Sequence, residues 1–61
     1  MASRSSALVN RTVIGQAQGI LMERFRATPQ EAFAMLRAAS QRTNHKLSAV
    51  AAVVAETGRL P

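Results

Sequence analysis

Apolar residues recur along the chain in three stretches, each at the three- and four-residue steps that mark one face of an α-helix. Ile14, Ala17, Leu21 and Phe25 draw the first stripe, with Val13 and Ile20 beside it. Ala32, Met35, Leu36 and Ala39 draw the second, with Phe33 on its flank. Leu47, Val50, Ala51 and Val54 draw the third. The pattern predicts three helices, over about residues 6–26, 29–43 and 48–57. Their stripes converge on one core, so the expected fold is all-α, a three-helix bundle with a long first helix.

The ends of these helices carry local signals. Ser5 or Ser6 is expected to cap the first, because a hydroxyl accepts a bond from an orphan backbone N–H. Thr28-Pro29-Gln30-Glu31 has the form of a capping box, with proline at the first helical position. Ser48 is expected to cap the third helix, and Gly58 to stop it in a left-handed conformation before Pro61. The first helix, at roughly 30 Å, is long for so small a bundle. Its first turns are expected to overhang, leaving Leu8 and Val9 to seek another partner. Residues 1–12 are therefore set apart as an extension and possible coiled-coil end, and residues 13–61 as the globular domain. Gly15 and Gly19 share one face inside the first helix, at a cost of about 1 kcal/mol each relative to alanine. A packed helix or a ligand is expected close to the backbone there.

Length and composition narrow the class. Sixty-one residues allow one domain, and a chain this short buries only about 60% of its unfolded surface. There is no cysteine, so neither a disulfide nor a thiolate metal site can hold it. No apolar run approaches the roughly 20 residues needed to span a bilayer. The first ten residues do not resemble a signal peptide, and a cytoplasmic location is expected. Eight Lys and Arg against three Glu give a net charge of +5. A polyanionic partner follows, whether RNA, DNA or an acidic membrane surface. Charge alone does not choose among them, and some small basic domains are simply soluble.

Enzymatic constellations are not found. His45 is the only histidine, there is no aspartate, and Glu23, Glu31 and Glu56 are scattered. No pair has the spacing of a carboxylate dyad or a metal site, so neither catalysis nor a cofactor is expected. The basic residues are more informative. Arg37, Arg42 and Lys46, with His45, gather at the end of the second helix and the turn after it, around Thr43 and Asn44. Arginine grips phosphates or base edges with paired bonds, and asparagine both donates and accepts. The same cluster is also compatible with a solvated rim that complements the helix dipole. Arg11, Gln18 and Met22 share a flank of the first helix, with Gln18 next to Gly19. Phe25 and Phe33, the only aromatics, fall on or beside core stripes and are expected in the core. Stacking of successive single-stranded bases is thus a poor match, and a folded RNA a better one.

The run Ile14-Gly15-Gln16-Ala17-Gln18-Gly19-Ile20-Leu21-Met22 resembles the first-helix signature of the ANTAR family, the AmiR and NasR transcription antitermination regulators. The run from Glu31 through Leu36-Arg37-Ala38-Ala39 to Ser40 is similar to its second block. Arg42-Thr43-Asn44-His45-Lys46-Leu47, with Val50-Ala51, is similar to its third. The blocks occur in order from about residue 13 to residue 60, one on each predicted helix. Gln18 departs from the pattern, where the family often has lysine.

The resemblance implies a three-helix module that binds two small RNA hairpins and stabilises an antiterminator at the expense of a terminator. It also implies a homodimer through the first helix, and a sensor or receiver domain in a longer signal-transduction protein such as a response regulator. On that basis Arg37, Arg42 and Lys46 are expected to neutralise phosphates. Asn44 and Gln18 are expected to read bases or sugar hydroxyls, His45 to stack or hydrogen-bond, and Gly19 to admit the RNA close to the backbone. Two alternatives belong to other classes. A DNA-binding helix-turn-helix fits three basic helices, but the third helix is rich in Ala and Val and carries no basic residue before Arg59. A helical homodimerisation module without nucleic acid is the other. A membrane-surface helix fits three capped segments poorly.

Overall fold

The computed structural model describes the backbone of residues 2–61 and the side chains of residues 10–61. Three helices follow in order: α1 (Ala2–Phe25), α2 (Pro29–Thr43) and α3 (Leu47–Thr57). All three pack against one another, as an all-α bundle requires. The longest dimension, 37 Å, is that of α1, since 24 helical residues rise roughly 36 Å.

α1 begins earlier than the serine signal suggested. Ser5 and Ser6 lie within the helix and not at its start. No glycine or proline interrupts residues 2–14, so nothing local stops the helix from extending upstream. Leu8 and Val9, expected on an overhang, lie outside the residues whose side chains are described.

The core consists of Ala17 and Leu21 from α1, Ala32, Leu36 and Ala39 from α2, and Val50, Ala51 and Val54 from α3. No polar side chain is buried among the described residues. Half of the core residues are alanines, which lets helix backbones approach closely and leaves Leu21, Leu36, Val50 and Val54 to fill the volume. Val13, Ile14, Ile20, Met22, Met35, Leu47 and Leu60 pack around this centre. Leu60 was not expected there. It comes from the segment after α3, whose Pro61 lies beside Val53, Ala49 and His45, so the chain folds back along the helix.

Phe25 corrects the sequence expectation. It is 56% exposed. Arg26 turns left-handed directly after it, at φ 53°, and ends the helix. The packed stretch of α1 runs from Val13 to Met22, so the last turn lies beyond its reach. Phe33, also expected in the core, is only half-buried and stands outside the core cluster.

Each helix ends on a left-handed residue: Arg26, Asn44 and Gly58. After α1 and α2 the second residue past the helix closes the turn, Ala27 N–H donating to the Met22 carbonyl at 3.1 Å and His45 N–H to the Ser40 carbonyl at 3.2 Å. α2 starts on the predicted capping box. The Thr28 hydroxyl accepts from Glu31 N–H at 3.1 Å, and the Glu31 carboxylate accepts from Thr28 N–H at 2.8 Å. α3 has no such device. Its cap position is Lys46, not Ser48, and no side chain caps it. Asn44 reverses the chain early, so the helix begins at Leu47, which packs on the core. The two serine or threonine positions should therefore respond differently. Thr28→Ala is expected to lower unfolding free energy by about 1 kcal/mol, and Ser48→Ala to stay within about 0.5 kcal/mol of the parent, both measured by urea denaturation followed by circular dichroism.

Candidate nucleic-acid interface

The turn between α2 and α3 is organised by Ser40. Its carbonyl accepts from both Asn44 N–H and His45 N–H. Its hydroxyl donates to the His45 carbonyl at 2.5 Å. One serine thus holds both sides of a three-residue turn, and Thr43 adds a bond from its hydroxyl to the Ala39 carbonyl at 2.7 Å. Asn44 occupies the left-handed cap at φ 58°, ψ 34°, a conformation that asparagine tolerates better than most side chains. Asn44, His45 and Lys46 are exposed in consequence. Ser40 and its double role were not foreseen. Only a serine four residues before an asparagine could have hinted at them, and that spacing is common in helices.

The expected site residues fall into two groups. Arg42 lies in the last turn of α2, and Asn44, His45 and Lys46 follow it as the turn into α3. Arg37, exposed further back on the same helix, lines an open hollow with Ser40, which links it to the turn. Gln18 and Gly19 belong to the other end. The Gln18 amide donates to the carbonyl of Pro29, the first residue of α2, at 3.1 Å. α2 spans roughly 22 Å, so this contact lies far from the turn. Gln18 fastens α1 to the start of α2 in this structure. Gly15 and Gly19 are exposed, and a β-carbon on either would meet nothing within 4 Å. Among the described residues, no other helix therefore occupies the space over them.

Electrostatics favour an anion at the turn. No acidic residue occurs between Glu31 and Glu56, an interval that contains Arg37, Arg42, His45 and Lys46. Arg42 lies in the last turn of α2, where a cation complements the dipole. It also donates to the main-chain oxygen of Pro61 at 2.6 Å, one of the five donors a guanidinium carries. Lys46 is the reverse case. It puts a cation at the positive end of α3, whose first turn contains no acidic residue. Helix dipole and side chain add there to a positive potential, at the expense of local stability. Among the described residues no group of His, Asp or Glu could hold a metal ion, and no helix is long and apolar enough to cross a membrane.

A family model for the ANTAR domain matches residues 3–54. The chain belongs to the ANTAR family. No curated protein and no solved structure gives a significant match. ANTAR domains are the RNA-binding domains of antitermination regulators and form a regulatory family, not an enzyme family. The match covers all of α1 but its first residue, all of α2, and α3 to Val54. Within this ANTAR domain, the uncapped start of α3 makes an opposing pair of effects measurable. Lys46→Ser supplies a side-chain cap and removes a repelled cation, so it is expected to raise unfolding free energy by about 1 kcal/mol, read as a higher urea midpoint with an unchanged slope.

Proposed function

We propose that this ANTAR domain binds hairpin RNA through the α2–α3 turn and, by holding one RNA fold against its competitor, promotes transcription antitermination. The observation that carries the reading is the exposure of Arg42, Asn44, His45 and Lys46 at the Ser40-closed turn, with Arg37 exposed on the same helix, in a stretch of sequence without acidic residues. Arg37, Arg42 and Lys46 meet phosphates, and Asn44 presents an amide to a base or sugar hydroxyl. His45 is exposed beside them. The work is thermodynamic, since a protein that binds only the antiterminator form shifts the RNA equilibrium by its differential affinity. Gln18 keeps a helix-fastening role at the far end of α2, with its second N–H and its carbonyl oxygen left over for RNA there. The wider reading places the domain in a cytoplasmic regulator that dimerises through α1 and receives its signal from a sensor or receiver domain.

A DNA-binding reading is less well supported. α3, the helix that would enter a major groove, carries no basic residue. The test is a titration of fluorescent RNA containing two hairpins, with single hairpins and duplex DNA as competitors. Affinity for the two-hairpin RNA is expected to fall with salt at a log–log slope of about −0.7 to −0.9 per neutralised phosphate, with three to five such contacts. Arg42→Ala is expected to weaken binding and make that slope shallower by about one contact. Lys46→Ser is expected to do the same while the fold becomes more stable, which separates lost contacts from lost structure. Salt-independent affinity, or unchanged binding by both variants, would overturn the proposal.

A further inference from the structure

Two hollows flank a ridge on α2. The larger, about 410 Å³, is lined by Phe33, Arg37, Ser40, Gln41 and Leu47. The smaller, about 230 Å³, is lined by Ala34, Arg37, Ala38 and Gln41. Arg37 and Gln41 belong to both, so they form the ridge, and as an i, i+4 pair they are neighbours on the helix surface. Phe33 lies one further turn back. The larger hollow therefore presents a ring, a guanidinium and a carboxamide in succession along one helix. Ser40, in its wall, is the residue that closes the α2–α3 turn.

This combination is not explained by packing. Phe33 is half-buried but stands outside the core, and Gln41 is exposed. Neither hollow has an acidic residue in its lining. A ring offers a stacking surface to any base. A carboxamide carries a donor and an acceptor side by side, which matches the edge of one base and not another. Arginine holds the phosphate. The two alanines leave the second hollow shallow, so a sugar–phosphate backbone can pass close to the helix.

We infer that the larger hollow receives one unpaired base of the bound RNA, packed against Phe33, read along its edge by Gln41 and anchored through its phosphate by Arg37. The inference rests on the RNA-binding reading and adds to it a place where sequence is distinguished. Base reading then occurs on the outer face of α2, beside the turn that grips the backbone.

The experiment combines Gln41→Ala with two-hairpin RNAs in which each loop base is replaced in turn by an abasic site. The parent protein is expected to lose about tenfold in affinity at one loop position. Gln41→Ala is expected to lose about tenfold on intact RNA, to lose little more at that same abasic position, and to keep the parental salt slope. Phe33→Leu, which keeps an apolar wall, is expected to show the same non-additivity, with folding checked by circular dichroism. Parental affinity for Gln41→Ala, or equal additional losses at every abasic position, would overturn the inference. If Arg42→Ala and Lys46→Ser weaken binding while Gln41→Ala does not, the hollow is refuted and RNA binding stands. If no hairpin RNA binds, both readings fall.

Discussion

Close approach of three helices over alanine is the constraint on which the rest of this molecule depends. Ala17, Ala32, Ala39 and Ala51 are fully buried, and only Leu21, Leu36, Val50 and Val54 supply large side chains at the centre. Helix separation depends on the side chains at the contact, and small ones bring the backbones near. A larger residue at any of the four would force the helices apart, at a cost of about 1–3 kcal/mol. So small a core yields only a few kcal/mol of net stability in a chain of this length. Local devices at the helix ends therefore weigh heavily. The capping box of α2 and the three left-handed terminations belong to that class.

The two sides of the α2–α3 turn are built differently. α2 enters it with Arg42 well placed against the dipole, and Ser40 ties its two sides together. α3 leaves it without a cap and with Lys46 at its positive end. Local rules are commonly broken at functional sites, where another requirement overrides them. On the proposed RNA-binding reading, that requirement is positive potential on an exposed turn. On the same proposed reading, the Ser40 bonds restrict the turn and so lower the ordering cost of gripping RNA.

The groups expected to act together are in fact distributed along α2. Its N-terminal end holds Gln18 through Pro29, its middle presents Arg37 beside Phe33 and Gln41, and its C-terminal end leads into the turn. α2 thus carries Arg37, Gln41 and Arg42, while Gln18 reaches it from α1 and Lys46 stands at the start of α3. Arg42 joins this arrangement to the segment after α3 through Pro61, so the guanidinium has an internal partner as well as an exposed face.

Local order determined what the chain alone could reveal. Apolar residues at steps of three and four specify helix faces whatever lies opposite, and a threonine three residues before a glutamate specifies a cap within one turn. The three helices, the capping box of α2, the Gly58 stop and the family resemblance all rest on such short-range patterns. The tertiary structure alone decided which stripe residues found partners. Phe25 continues the α1 periodicity yet is exposed, because burial depends on the reach of neighbouring helices. Lys46 replaces Ser48 at the start of α3, because the position of the turn depends on how Asn44 and Ser40 meet and on where Leu47 packs. The separation of Gln18 from the basic turn, and the hollow that joins Phe33 to Gln41, follow from the length and placement of α2 in space, which no run of neighbouring residues encodes.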